Sequence, residues 1–112
     1  MKTSRDYLLD LLVYIGYLES FASDGQEFLE KDIRTQLAVS KAYEVIGEIL
    51  KRIPDSLLAQ QPHIRWKEIK GFRDVLIHQY ADIDLDLVWQ AIQDLPNLHR
   101  AVDALLESLD KS

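Results

Sequence analysis

The sequence contains no cysteine. This absence excludes a disulfide framework, a thiol nucleophile and any zinc site that relies on cysteine ligands. Long apolar runs are also missing: the longest extends only from Leu11 to Leu18, whereas a helix needs roughly 20 apolar residues to cross a bilayer. The first residues lack the form of a signal peptide, since Asp10 soon interrupts the apolar pattern. We therefore expect a cytoplasmic protein with no membrane partner.

Positive charge is scarce as well. The chain has 13 lysines and arginines against 19 aspartates and glutamates, so its net charge is −6 and its isoelectric point is near 4.9. General nucleic-acid binders draw their affinity from many Lys and Arg contacts to phosphate, and this composition argues against that class. An RNA substrate would have to be attracted by a local site. The remaining acidic surface suits a basic partner, or simply solubility.

The apolar residues suffice for one core. With 112 residues, of which 47% are hydrophobic, the chain is expected to form a single domain over residues 1–112. Apolar residues recur at helical spacing and no segment alternates as a strand would, so we predict an all-α, up-and-down bundle of four to five helices. The predicted helices run from about Ser4 to Ala22 with Ser4 as N-cap, Gln26 to Arg52, His63 to Tyr80, from Leu85 with Asp84 as N-cap, and from Pro96, with Asp94 as cap, to Leu109.

The first predicted helix has an unusually wide apolar band. One row follows helical spacing, and three aromatic residues lie beside it at seven-residue intervals. Two explanations remain open: the helix is buried on two sides, or its excess apolar surface meets a second copy of the chain. The residues concerned are Leu8, Leu11, Leu12, Ile15 and Leu18, with Tyr7, Tyr14 and Phe21.

The second predicted helix carries one glycine and two carboxylates of interest. Gly47 has no side chain and would permit the close approach of another backbone. Glu44 and Glu48 share a helix face, which could suggest acid–base chemistry or a metal site. No Glu-x-x-His motif accompanies them, so ion-pair roles are favoured.

Ionisable groups concentrate in the third predicted helix. Arg73, Asp74, His78 and Tyr80 lie within eight positions, and the apolar residues among them mostly point the other way. An amphipathic helix always has a polar face, so a solvated face is the simplest explanation. An imidazole, however, can both take and give a proton near neutral pH, and a guanidinium suits the charge that develops on a phosphorane. These are the groups that RNA cleavage without a metal requires, because the ribose 2′-hydroxyl is the nucleophile.

The same spacing leaves one chain incomplete as an enzyme. Arg73 and His78 lie about 140° apart around the helix and would flank a phosphate poorly. A two-fold axis beside this helix would supply a second pair across a cleft. The other histidines, His63 and His99, are expected to be exposed or structural. No pair of histidines has the spacing of a helical zinc site, so we predict no metal and no cofactor.

The motif has a specific likeness. Arg73-x-x-x-x-His78-x-Tyr80, with Trp66, Ile69, Gly71 and Phe72 before it, Ile83, Val88 and Trp89 after it, and the segment from Ala42 to Glu48 upstream, resembles the HepT family. That resemblance implies an all-helical, HEPN-type ribonuclease that acts as a homodimer, cuts RNA without metal and leaves a cyclic phosphate. Arg73 and His78 would be catalytic. Asp74 would support them, although many HEPN proteins have asparagine there.

The resemblance also implies regulation. In similar families, a small nucleotidyltransferase, the MntA antitoxin, attaches AMP to the motif tyrosine, here Tyr80. The chain would then be the toxin of a type VII toxin–antitoxin pair, and the added phosphate would occupy Arg73 and block the cleft. Two alternatives remain open. One is a non-catalytic helical adaptor that binds a nucleotidyltransferase or a nucleotide, and the other is a purely structural dimeric bundle.

Overall fold

The structure is a computed structural model that describes residues 1–78 and 84–111, without the side chains of Arg73 and of residues 75–78. Within these residues the chain forms seven helices and no strand, so the all-α prediction is confirmed. Five helices are long and two are short. In chain order they are α1 (Ser4–Ala22), α2 (Gln26–Lys31), α3 (Ile33–Leu50), α4 (Asp55–Leu58), α5 (Trp66–His78), α6 (Leu85–Gln93) and α7 (Leu95–Lys111).

The hydrophobic core lies between α1, α3 and α7. From α1, the row of Leu8, Leu11, Ile15 and Leu18 is almost completely buried. This row follows helical spacing, and the residue types that fill the centre of the core from the other helices are the same branched apolar ones. They are Val39, Ile46 and Leu50 from α3, and Val102 and Leu105 from α7.

Besides this buried row, α1 carries two other groups of apolar or aromatic residues. The aromatic residues Tyr7, Tyr14 and Phe21 pack partly buried against the core. On the opposite side of the helix, Leu9, Val13 and Tyr17 are exposed. The helix is therefore not buried all round, and an apolar strip remains on its outer surface.

Helix beginnings depend on side-chain caps, and one cap differs from the prediction. The N-cap of α1 is Thr3, not Ser4: the Thr3 hydroxyl accepts from the backbone N–H of Asp6, and the Asp6 carboxylate accepts from the N–H of Thr3. This reciprocal pair is a capping box, which satisfies two otherwise orphaned donors. Asp84 caps α6 as predicted, because its carboxylate accepts from the N–H groups of Asp86 and Leu87.

The long helix predicted from Gln26 to Arg52 is wrong in one respect, since it is divided at Asp32. Asp32 has an extended backbone and its carboxylate accepts from the N–H of Thr35, so α3 starts afresh there. The side-chain amide of Gln36 donates to the carbonyl of Leu29 and ties α2 to α3. This division, together with the short α4, accounts for seven helices where four to five were predicted.

Two further boundaries differ from the prediction. Helix α5 begins at Trp66, not near His63, because the preceding residues form turns. Asp94 is the residue between α6 and α7, and its carboxylate accepts from the side-chain amide of Asn97. None of the helices in the described ranges has the length and apolar character needed to span a bilayer.

Candidate functional site

Helix α5 carries the predicted catalytic residues, and its position is set by α3. At the crossing, a methyl group on Gly47 would lie only 3.2 Å from the backbone carbonyl oxygen of Lys70. The prediction that Gly47 permits close approach of another backbone is therefore confirmed. About one turn earlier on α3, the rings of Tyr43 and Phe72 pack with their centroids 4.8 Å apart and an angle of 46° between their planes.

The start of α5 is held by two polar contacts. The indole N–H of Trp66, a nearly buried residue, donates to the backbone carbonyl of Gln61 over 3.0 Å. The Lys70 ammonium pairs with the Asp55 carboxylate of α4 at 2.9 Å, and the lysine side chain is only 22% exposed. Together with the Gly47 crossing, these contacts fix the helix up to Phe72, the residue that precedes the motif.

The predicted site residues are only partly within the described structure. Arg73 and His78 both lie on α5, and His78 is the last residue described on that helix, but their side chains are outside the described part. Asp74 is exposed on the same helix. Tyr80 lies outside the described residues altogether. The structure therefore supports the helical frame of the motif, and the roles of the four side chains stay predictions.

The other ionisable candidates have ordinary structural roles. Glu44 and Glu48 pair with Lys41 and Lys51 at 3.8 Å and 3.4 Å, so the predicted ion-pair roles are confirmed. The imidazole of His99, on α7, lies with Nδ1 3.1 Å from a carboxylate oxygen of Glu19, which joins α7 to α1. No group of three or more metal-binding side chains comes together in the part of the chain that the structure describes.

A cavity of about 800 Å³ opens between α5 and α6, and sequence reasoning missed it. One wall is formed by α5 and the residue before it, and the opposite wall is formed by α6 and the residue after it. Both walls have the spacing i, i+3, i+4, i+7 of a single helix face. They are Arg65, Glu68, Ile69 and Phe72 on one side, and Leu87, Gln90, Ala91 and Asp94 on the other.

The floor of this α5–α6 cavity contains a buried phenol. Tyr43 is 4% exposed, and its hydroxyl has no hydrogen-bond partner among the described residues. Burial raises the pKa of the Tyr43 phenol far above its usual value, and the nearby negative charge of Asp94 raises that pKa further. The phenol is therefore neutral at physiological pH.

Comparison with known proteins gives a consistent result. A family model described as "Ribonuclease HepT-like" matches residues 11–105. The protein "Probable ribonuclease HepT" of Thermococcus cleftensis is 37% identical over 100 residues, which cover 87% of this chain and 90% of that protein. "Putative RNase MJ0125" of Methanocaldococcus jannaschii is 33% identical over 110 residues, or 96% of this chain and 94% of its own length. No solved structure matches significantly. The chain belongs to the HepT-like ribonuclease family.

Proposed function

We propose that this chain is an endoribonuclease that cleaves RNA without a metal ion, using Arg73 and His78 from two copies of the chain. The observation that carries the proposal is the match to the HepT-like family over residues 11–105, which includes the whole motif. A second support is the helix itself: α5 includes both residues, and its contacts with α3 and α4 hold the backbone that leads into them. A site built on a regular helix keeps its geometry better than one on a loop.

The proposed reaction is an internal transfer of the phosphoryl group. One imidazole removes the proton of a ribose 2′-hydroxyl, and the 2′-oxygen forms a bond to the adjacent phosphorus. The bond from phosphorus to the 5′-oxygen breaks, and a second, protonated imidazole gives its proton to that oxygen. The products are a 2′,3′-cyclic phosphate and a 5′-hydroxyl end. The Arg73 guanidinium, which is always charged, would neutralise the charge on the phosphorane with its forked donors.

Two chains are needed because acid and base must lie on opposite sides of one phosphate. Arg73 and His78 are five residues apart, which on a helix means about 7.5 Å of rise and about 140° of rotation. A single His78 cannot be both the base and the acid in the same step. An isologous two-fold contact beside α5 would bring a second His78 into the same cleft. The two guanidiniums and the protonated imidazole would also make the cleft locally positive, despite the net charge of −6.

The finer part of the proposal concerns regulation. We propose that the chain is a toxin whose partner is a nucleotidyltransferase antitoxin of the MntA type, and that this partner transfers AMP to the hydroxyl of Tyr80. The phenolic oxygen forms a bond to the α-phosphorus of ATP, and pyrophosphate leaves. The seven-residue spacing of Arg73 and Tyr80 corresponds to two helical turns, so the new phosphodiester would pair with the Arg73 guanidinium.

The test is cleavage of labelled RNA in EDTA. The wild-type chain should produce fragments with cyclic phosphate ends, and His78→Ala and Arg73→Ala should each lower the rate by at least about a hundredfold, since each removes a group used in the transition state. His99→Ala is the matched control, because His99 lies on α7 and pairs with Glu19, and it should retain cleavage. Wild-type protein that leaves RNA intact in EDTA at every concentration would overturn the proposal in favour of an adaptor.

A further inference from the structure

We propose that the outward face of α5 binds the RNA backbone beside the scissile phosphate, and that Lys67 contacts a phosphate several nucleotides away from it. This inference rests on the proposed ribonuclease function, since it names where part of the substrate binds. The outward face is defined by Lys67, Gly71, Asp74 and position 78, which follow the spacing i, i+4, i+7, i+11 of one helix face. From Lys67 to position 78 the helix rises about 16.5 Å and turns by only about 20°.

The described part of the chain leaves this outward face uncovered. Lys67 and Asp74 are exposed, and Gly71 between them is partly exposed. A methyl group on Gly71 would meet no described atom within 4 Å, whereas one on Gly47 would meet the backbone of α5. A strand of RNA can therefore lie along the helix from position 78 to Lys67 without displacing another described element.

Charge distinguishes α5 from the rest of an acidic chain. Among the helices of the described ranges, α5 alone has more lysine and arginine than aspartate and glutamate, three against two. The chain as a whole carries a net charge of −6. Single-stranded nucleic acid is attracted by positive groups that follow its backbone. The helix that carries the motif is therefore where this protein can attract RNA.

Lys67 is a cation on this face that the chain does not use for an ion pair. The other six of the seven lysines pair with a carboxylate at 2.6 to 3.8 Å, among them Lys70, the second lysine of α5. Lys67 pairs with no carboxylate that the structure describes. It is also the second residue of α5, where the positive end of the helix dipole opposes a cation and favours an anion. A bound phosphate would be attracted by both the ammonium and the helix dipole.

The carboxylate on the outward face lies nearer to the catalytic end. Asp74 is four residues from position 78 and seven from Lys67, which corresponds to about 6 Å and about 10.5 Å of rise. Its negative charge would therefore separate two phosphate positions, the scissile one and a flanking one at Lys67. In a stacked strand, phosphates follow one another about every 3.4 Å along the axis, so the flanking phosphate would be about five nucleotides away. A stretched strand would place fewer nucleotides between them.

The first experiment compares Lys67→Ala with the wild-type protein on two RNA substrates in EDTA. Both contain the same cleavable ribose: one is a dinucleotide, and the other has about twelve nucleotides, with this ribose in the middle and deoxyriboses elsewhere. In a single strand, each phosphate contact changes affinity by roughly the −0.7 power of the salt concentration, or about fivefold at about 0.1 M. Lys67→Ala should therefore lower kcat/KM for the longer substrate by about fivefold and leave the dinucleotide unchanged.

A control variant removes the same charge elsewhere. Lys111→Ala is matched to Lys67→Ala, because Lys111 is the last residue of α7 and pairs with Glu107. It should cleave both substrates as the wild type does. Lys67→Arg, which keeps the positive charge, should retain most of the activity on the longer substrate. Urea unfolding of Lys67→Ala should match the wild type, since the side chain is exposed.

Binding of an oligonucleotide that is not cleaved gives a readout that a loss of folded protein would not change. The probe is the longer substrate with deoxyribose throughout, which has no 2′-hydroxyl. The logarithm of Kd should rise linearly with the logarithm of the salt concentration. Lys67→Ala should reduce this slope by about 0.7, and Lys111→Ala should leave it unchanged.

Three results would overturn the phosphate contact. An equal effect of Lys67→Ala on both substrates, including no effect, or an unchanged salt slope would remove it while leaving the ribonuclease intact. If Lys67→Glu is monomeric by mass measurement where the wild type is a dimer, and the salt slope of Lys67→Ala is unchanged, the outward face contacts a second copy of the chain instead. If the wild type binds no oligonucleotide at any salt concentration, the contact fails. Oligonucleotide binding that depends on Lys67, in a protein that cleaves no RNA, would support the contact and refute the ribonuclease proposal separately.

Discussion

Replacement of Gly47 by alanine tests how closely α5 is held against α3. A helical Gly→Ala change stabilises by up to about 1 kcal/mol, because alanine has the better helix propensity. At Gly47 the new methyl group would lie 3.2 Å from the carbonyl oxygen of Lys70 and 3.8 Å from that of Ile69. These oxygens belong to the backbone of α5 and cannot rotate away, so α5 must shift by a few tenths of an ångström.

The size of the effect follows from two opposing contributions. Overpacking in a filled interior costs about 1–3 kcal/mol, and the gain in propensity offsets about 1 kcal/mol of it. We expect Gly47→Ala to lower the free energy of unfolding by about 1 kcal/mol. Gly16→Ala is the matched control: Gly16 lies in the middle of α1, a methyl group there meets nothing within 4 Å, and the change should stabilise by about 0.5–1 kcal/mol.

The assay is urea unfolding of both variants, analysed by linear extrapolation with unchanged slope. Subtracting the two results cancels the propensity gain and leaves the steric cost of the crossing. Because α5 carries Arg73 and His78, we also expect RNA cleavage by Gly47→Ala to fall while Gly16→Ala retains it. If Gly47→Ala stabilised as much as Gly16→Ala, the close contact of α3 with α5 would be refuted.

Three other predictions follow from single contacts. Asp32→Ala should lower the free energy of unfolding by about 1 kcal/mol in urea, since the N-cap bond to the N–H of Thr35 is lost; an unchanged midpoint would contradict the division of α2 from α3. Hydrogen bonds from Thr3 lower the pKa of Asp6, so the capping box stabilises α1 fully above the unfolded pKa of roughly 3.9. This stabilisation is lost as the pH falls through the folded pKa of Asp6, and protection of the first-turn amides from hydrogen exchange should fall over the same pH range. Loss of this protection already near neutral pH, as the pH is lowered, would contradict the assignment. Tyr80→Phe should retain RNA cleavage and gain no adenylyl group by mass spectrometry when incubated with ATP and a cognate nucleotidyltransferase; modification of the variant would remove Tyr80 as the acceptor.

Much of the fold could be predicted because helix boundaries depend on local chemistry. The bounds of α1 agree with its predicted range, and Asp84 was identified as the α6 cap from its residue type alone. The division at Asp32 was missed because apolar spacing continues through it in Leu29, Ile33 and Leu37. In the structure Ile33 and Leu37 are 61% and 60% exposed, so part of that spacing does not belong to the core. Periodicity shows that residues share a face, but not what the face contacts.

The site could be predicted only where one helix determines it. The motif was recognised because Arg73, His78 and Tyr80 are close in sequence, and α5 includes the first two. The α5–α6 cavity required two distant faces and a tyrosine from a third helix. Their spacing was visible in the sequence, yet nothing local indicates that Phe72 and Gln90 face one another or that Tyr43 lies beneath them. A cleft formed by two chains is still less accessible to reasoning from one sequence.

The most direct test of the central claim, that two copies of His78 act on one phosphate, is a mixing experiment. Wild-type and His78→Ala chains are unfolded together in urea and refolded in varied ratios, so that they pair at random, and RNA cleavage is then measured in EDTA. If each cleft needs both imidazoles, activity falls with the square of the wild-type fraction, to about one quarter at equal mixing. Activity of about one half at equal mixing would show that one chain suffices and would contradict the shared site.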